Sequence, residues 1–247
     1  MLIGTGSAEE FESEAPRMDS LSTEGVDLPN AIFLQALFEI DSADMCAMLP
    51  PALHPTLPPV ASLSVFDVPE SPWGQFRLAQ LRIQCRSGLR PRGFLVSAVV
   101  DGDRARRGLA AGFGFRGRSG AVSLERGYDA VRLEVDVGGR GLKGVMRAPM
   151  RIGESDVQFV SSLHPASTPR GFRLVQVDTR FDIQRAERAR LTLEGFDGEA
   201  WGEGRVIPTA LLPGVVGVAD LSLDPIRFVC RPDVLAFEGT ESVGSSD

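Results

Sequence analysis

Short runs in which apolar and polar residues alternate constrain the fold of this chain more than any other feature. From Ala130 to Val137 every second residue is apolar, and the polar residues between them are charged. The same period runs from Arg77 to Cys85 and from Arg173 to Ile183. Successive side chains of a strand point to opposite faces of a sheet, so this period predicts antiparallel strands that are each half-buried.

Further runs of this kind follow one another along the chain, and helical segments are short and few. They predict strands at 31–38, 60–68, 93–101, 121–125, 143–149, 156–161, 189–194, 215–222 and 226–236. The clearest helices are predicted from Ser42 to Leu49 and from Asp103 to Ala111. So many strands with so few helices predict a mainly β chain, an antiparallel barrel or a sandwich, and a barrel of this size can enclose a small-molecule cavity.

The charge of the chain is concentrated at its two ends. The formal net charge is −7, and residues 1–30 hold seven acids and one arginine, while residues 238–247 hold three acids and no base. Both ends are expected to be disordered, which leaves one domain at 31–237. That domain is nearly neutral, so it lacks the concentrated basic face that nucleic-acid binding needs.

Signals for a membrane, a metal or a nucleotide cofactor are missing. No run of 18 or more apolar residues is present and the N-terminus is acidic, so we expect no membrane span, no secretory signal and a cytoplasmic protein. Cys46, Cys85 and Cys230 lie far apart without metal-ligand spacing, and we expect reduced core thiols. Glycine-rich nucleotide motifs are absent too, so neither a metal nor an organic cofactor is expected.

Lysine and histidine are scarce in this chain, whereas arginine is abundant. Of the 26 basic residues only Lys143 is a lysine, and arginine cannot act as an amine nucleophile. His54 and His164 lie in proline-rich segments and are expected at the surface rather than as general bases. Lys143 is therefore the one side chain that could form a Schiff base.

Three stretches, taken in order, resemble the acetoacetate decarboxylase family. The first joins Leu49-Pro50-Pro51 to Val65-Phe66-Asp67-Val68-Pro69-Glu70-Ser71-Pro72-Trp73-Gly74, the second runs from Asp101 to Arg118, and the third from Leu191 to Leu235. Together they span residues 31 to 237. The resemblance implies an antiparallel barrel around an apolar pocket. It also implies a lysine pair in that pocket, whose first lysine forms a Schiff base with a β-keto acid.

None of the family's catalytic residues is kept at the matching positions. Gly117 lies where the nucleophilic lysine is expected, and Arg118 where its neighbour is expected. The family's two pocket glutamates fall near Leu78 and near 61–62, and its substrate-binding arginine falls near Glu39. Because a glycine cannot form an imine, we expect this chain not to use the family's mechanism.

The function predicted first is that of a non-covalent enzyme, of cyclase, isomerase or lyase type. Its substrate would be a hydrophobic, carbonyl-containing, natural-product-like intermediate held in the barrel pocket. Arg116 and Arg118 would stabilise an enolate or carboxylate, and Glu39 would transfer a proton or pair with an arginine. The side chains and backbone predicted to contact substrate are those of Trp73, Leu78, Phe113, Phe115 and Gly117.

Three alternatives remain open. The chain is a catalytically inactive protein that binds a hydrophobic ligand, a β-keto acid decarboxylase that uses Lys143, or a structural subunit that pairs with an active paralogue. Besides the small molecule, the expected partner is a second copy of the chain, because members of the family commonly form oligomers. No nucleic-acid or membrane partner is expected.

Overall fold

The fold is built mainly from strands, as the alternating pattern predicts. The computed structural model describes residues 2–21, 23–202 and 204–244. Its strands are β1 (Val26–Glu39), β2 (His54–Pro55), β3 (Val60–Val68), β4 (Phe76–Ser87), β5 (Arg90–Asp101), β6 (Arg118–Ser119), β7 (Ala121–Arg126), β8 (Ala130–Val137), β9 (Arg140–Arg147), β10 (Met150–Ile152), β11 (Ser162–Thr168), β12 (Gly171–Val177), β13 (Thr179–Phe196), β14 (Ala210–Leu223), β15 (Phe228–Cys230) and β16 (Thr240–Ser242). The helices are α1 (Ala8–Ser13), α2 (Ser42–Ala47), α3 (Asp103–Phe113), α4 (Gly198–Gly202) and α5 (Ala236–Gly239). In the described ranges, no helix is both long enough and apolar enough to cross a bilayer.

The strands form one open sheet, so the predicted barrel is not confirmed. The hydrogen-bonded order is β16-β15-β12-β11-β5-β4-β3-β1-β14-β13-β9-β8-β7, and β2, β6 and β10 pair at its side. Two short parallel strands occupy the edge of β5 away from β4. They are β11, which pairs at Gly93 and Phe94, and β6, which pairs at Val99 and Val100. Strand β7 lies next to β3, β4 and β5 without a ladder to them, so the sheet does not close in the described residues.

Strand β4 separates two apolar cores and is buried on both faces, not on one as its alternation predicted. Ala79, Leu81 and Ile83 pack into the first core, which also holds Phe38 and Trp201. Leu78 faces the second core together with Phe33, Phe66, Phe113 and Phe115. Gln80 and Arg82 share the face of Leu78 and are both buried, so polar side chains that the alternation assigns to a solvent-facing side lie inside the molecule.

Other predicted elements differ where proline or short pairing decides the structure. The runs 60–68 and 130–137 coincide with β3 and β8. The predicted strand at 156–161 is not formed, and β11 begins at Ser162 instead. Pro165 lies in β11 beyond the two residues that pair with β5. The edge of β11 toward β5 is unpaired there, so the missing N–H of the proline breaks no hydrogen bond on that edge. The run 226–236 is reduced to the three-residue β15.

The acidic ends are more ordered than their composition predicts. Residues 2–21 hold α1, and the side chains of Met18 and Leu21 are buried in the second core. At the other end β16 pairs with β15, beyond the predicted domain limit at residue 237. Net charge is an average over a segment, and it hides the two apolar side chains that dock the N-terminal arm.

Candidate active site

An internal cavity of about 60 Å³ lies in the second core, between β3, β4, α3, β11 and β14. Leu78, Phe113 and Phe115, which the sequence places in a substrate pocket, all line it. The volume is far below the roughly 300–1,000 Å³ of a typical ligand pocket, because several phenylalanine rings fill the space. The cavity therefore favours a compound of a few non-hydrogen atoms over the bulky intermediate that the sequence predicted.

Arg82 brings a buried positive charge to this cavity. Leu78, Gln80 and Arg82 share one face of β4, and all three line the cavity. The side chain of Arg82 crosses β5 over Gly93, where a Cβ would lie only 3.1 Å from Arg82 Cδ. A glycine at this position gives the guanidinium room to reach β11, where Arg82 Nη1 donates to Ser162 Oγ at 2.8 Å.

The guanidinium of Arg82 is not neutralised by the protein. The residue is 3% exposed, and its further bonds are 3.1 Å to the Val160 carbonyl and 3.4 Å to Ser64 Oγ. Its Nε has no partner, and no carboxylate in the described ranges forms an ion pair with it. Burial lowers the pKa of Arg82 to about 10, so it stays charged near neutral pH. A buried unpaired cation is costly unless an anion binds beside it, so the cavity is suited to a carboxylate.

His164 supplies a proton acceptor to the same cavity. Helix α3 is capped by Gly114, whose φ of 61° is left-handed. A Cβ added at Gly114 would lie only 2.7 Å from Ala166 Cβ. This close approach of β11 puts His164 Nδ1 2.8 Å from the Phe113 carbonyl. A carbonyl only accepts, so Nδ1 carries the proton and Nε2 presents a lone pair. In the described residues Nε2 has no hydrogen-bond partner.

The His164 imidazole is held neutral. The residue is 3% exposed, and burial lowers its pKa to about 4; the charge of Arg82 also lowers it, while the Phe113 carbonyl opposes both. The expectation of two surface histidines is wrong, since His54 is 2% exposed in β2 with its Nδ1 3.1 Å from the Leu2 carbonyl. A neutral base and a fixed cation in one apolar cavity can move a proton on a bound anion.

Gly117, the position matched to the nucleophilic lysine, lies beside this cavity but carries no amine. A Cβ at Gly117 would point into the second core, 2.7 Å from Val100 Cγ2 and 3.4 Å from the Phe115 ring. Lys143 does not line the cavity; its side chain is 62% exposed and its Nζ lies 2.6 Å from Glu134 Oε1. The hydrogen bond and charge of Glu134 raise the pKa of Lys143, the opposite of what a nucleophilic amine needs. Neither the position nor the pKa of Lys143 supports the alternative that uses it as a nucleophile.

Arg116 and Arg118, predicted to be catalytic, line a second cavity instead. Arg118 Nη2 donates to Ser97 Oγ at 2.9 Å and to the Ala200 carbonyl. Arg116 forms an ion pair with Glu14. Neither arginine lines the internal cavity, so the structure divides the predicted site between two places.

Glu39 and Trp73 lie outside both cavities. Glu39 is at the end of β1, where its carbonyl accepts from Thr209 N at 2.8 Å and from Thr209 Oγ1 at 3.0 Å. Trp73 packs edge-on against Phe76, with ring centroids 6.2 Å apart, and lies against Gly108 of α3. Phe76 lines the internal cavity, and Trp73 packs against Phe76 without lining the cavity itself.

The sequence reasoning missed Arg82, Gln80, Ser162 and His164. The two-residue period of β4 was a usable signal, because a pocket position at Leu78 implies pocket positions at Gln80 and Arg82. His164 was hidden by Pro165, which is typical of loops. In the part of the chain that the structure describes, no group of three or more His, Cys, Asp or Glu side chains is arranged to bind a metal ion.

Comparison with solved structures identifies the fold. No protein-family model and no curated protein matches the chain. The structure of acetoacetate decarboxylase from Legionella pneumophila is similar over 86% of this chain and 90% of that chain, with a TM-score of 0.73 at 17% identity. The chain has the acetoacetate decarboxylase fold. The resemblance drawn from the sequence motifs is thus confirmed at the level of the fold.

Two further structures show how widely the acetoacetate decarboxylase fold is used. The enduracididine biosynthesis enzyme MppR complexed with pyruvate covers 82% of this chain and 88% of its own, with a TM-score of 0.66 at 17% identity. An acetoacetate decarboxylase-like enzyme from Sphingomonas wittichii RW1 covers 82% and 91%, with a TM-score of 0.64 at 19% identity. All three of these structures carry the names of enzymes.

Proposed function

We propose that this protein is a non-covalent enzyme that binds a small oxo acid in the internal cavity and moves a proton on the carbon next to the carbonyl. The proposal rests on one observation: the guanidinium of Arg82, which no carboxylate neutralises, and the Nε2 atom of His164, which has no hydrogen-bond partner in the described residues, line the same cavity. The similarity to an enzyme complexed with pyruvate supports a substrate of this size and charge.

The proposed step is an enolisation. The substrate carboxylate binds the charge of Arg82, and His164 Nε2 takes a proton from the adjacent carbon. The electron pair of the broken C–H bond forms a C=C bond to the carbonyl carbon, and the π pair of the carbonyl moves onto its oxygen, which becomes an enolate. The Gln80 amide and the Ser162 hydroxyl, both on the cavity wall, are the donors available to that oxygen. Return of the proton to another position gives an isomerase, and departure of a neighbouring leaving group gives a lyase. No imine forms in either case.

The test is deuterium exchange into a small oxo acid. Pyruvate is incubated with the protein in D₂O, and loss of its methyl proton signal is followed by NMR. The expected result is exchange with the wild type, and at least a hundredfold slower exchange with His164→Asn. His54→Asn is the matched control, because His54 is equally buried but does not line the cavity.

Two results would contradict the proposal. Equal exchange by His164→Asn and His54→Asn would remove His164 from the chemistry. Pyruvate bound at stoichiometric occupancy and recovered without exchange would favour the alternative of a ligand-binding protein. Reduction with borohydride in the presence of pyruvate is expected to add no mass to the protein, because no imine forms.

A further inference from the structure

A second cavity, of about 430 Å³, lies between α1, β5 and α4. Its volume is in the range of ordinary ligand pockets, unlike that of the internal cavity. Residues 94–98 of β5 line one side of the cavity, with the Phe94 ring at one end and the Ser97 hydroxyl among them, and Trp201 borders the cavity from α4. The indole N–H of Trp201 is buried and has no hydrogen-bond partner in the described residues.

The charges around this cavity come from two different parts of the chain. Among the described residues that line it, the body of the protein contributes Arg116, Arg118, Arg205 and one acid, Glu199. The N-terminal arm contributes two further acids, Glu10 and Glu14, and Glu14 is paired to Arg116. Without the arm the cavity therefore has an excess of positive charge. Arg118 is held at its rim by Ser97 and forms no ion pair in the described ranges.

The arm covers the cavity as a strap, which we define as residues 7–15. Backbone hydrogen bonds fix the chain before it, at 2.9 Å from Gly4 N to the Leu53 carbonyl. Others fix the chain after it, at 2.8 Å from Met18 N to the Ser167 carbonyl. Helix α1, within the strap, has no buried residue. Opening of the strap would break its side-chain contacts with the body and none of the backbone hydrogen bonds that fix its two ends.

Two side chains of the strap contact the cavity, and together they resemble a ligand. The Phe11 ring packs edge-on against Phe94 with centroids 5.4 Å apart, and the Glu14 carboxylate pairs with Arg116. An aromatic ring within α1 and the carboxylate of its C-cap residue, three positions later, are thus presented to the Phe94 ring and an arginine pair.

We propose that this cavity is a binding site for an arylalkanoic acid, distinct from the internal site. The aryl ring of the ligand takes the place of Phe11 against Phe94. Its carboxylate displaces Glu14 from Arg116 and is shared with Arg118. The strap then competes with the ligand for the same contacts. The apparent affinity is the intrinsic affinity multiplied by the fraction of molecules in which the strap leaves the cavity open.

The test is titration of the full chain with 3-phenylpropanoate, followed by calorimetry. Glu14→Gln is expected to bind about three- to fivefold more tightly than the wild type, because an exposed ion pair contributes little and the competition is modest. Glu12→Gln is the matched control, since Glu12 is exposed on the same helix but does not line the cavity, and its affinity should equal that of the wild type. Arg118→Gln is expected to bind at least tenfold more weakly.

The following results would overturn the proposal. One is equal affinity for Glu14→Gln and Glu12→Gln. Others are wild-type affinity in Arg118→Gln, or no binding to any of these proteins at millimolar ligand. Loss of binding in His164→Asn would place the ligand in the internal cavity instead. Because the readout is affinity and not turnover, the result stands apart from the test of the proposed function.

Discussion

Acid should destabilise this protein through one buried imidazole, that of His164. Its pKa is lowered from 6.5 to about 4 by burial. The unfolded chain binds this proton below pH 6.5, whereas the folded protein resists it until about pH 4. The stabilising contribution is therefore complete above pH 6.5 and is lost as the pH falls toward 4. At about 1.36 kcal/mol per pKa unit, the free energy of unfolding falls by about 2.5 kcal/mol between pH 7 and pH 4.5 from this residue alone.

Urea unfolding of the wild type and of His164→Asn at pH 7, 6, 5 and 4.5 measures this contribution. Asparagine keeps an amide that can donate to the Phe113 carbonyl, but it does not titrate. Carboxylates contribute equally to both proteins, so the difference between the two curves isolates His164. His54→Asn, which leaves His164 in place, should follow the wild-type slope. Parallel curves for wild type and His164→Asn would refute the reasoning, because His164 would then not be held neutral by its surroundings.

Three further outcomes follow from positions buried in the two cores. Arg82→Met should stay folded, because an apolar side chain of similar length replaces an unpaired cation, yet its affinity for pyruvate in calorimetry should fall at least tenfold. Gly117→Lys should cost about 1–3 kcal/mol in urea unfolding, because Val100 occupies the space, and Val100→Ala in the same chain should recover part of that loss. Burial raises the pKa of Cys85 to about 12, so peptide mass spectrometry should find Cys85 unmodified by iodoacetamide at pH 8 until urea is added; equal labelling with and without urea would contradict this.

The strands were predictable wherever the side-chain period and the turns agree. The limits of β3 and β8 match the alternating runs, since glycine, proline or aspartate ends each run. Closure of the sheet was not predictable. It depends on which edge of β5 is already paired, and the partners of that edge, β6 and β11, come from later in the chain. Local sequence patterns do not show which strand pairs with that edge of β5.

The site was predicted in its apolar part and missed in its polar part. Motif matching placed Leu78, Phe113 and Phe115 in a pocket, and the structure places all three among the residues that line the internal cavity. The prediction of a half-buried β4 implied a solvent-facing Arg82, because a strand's second face is usually wet in antiparallel sheets. Only a second core on that side of β4 makes the same residue a buried cation, and that core is assembled from segments far apart in the sequence.

The chain contains two tryptophans, and each lies beside a different cavity. Trp73 backs the wall of the internal cavity through Phe76, and Trp201 borders the cavity under α1. A single-tryptophan form of the protein, made by Trp73→Phe or Trp201→Phe, thus carries a native fluorescent reporter for one cavity only. Occupancy of the two sites can be followed separately by emission, without any attached dye.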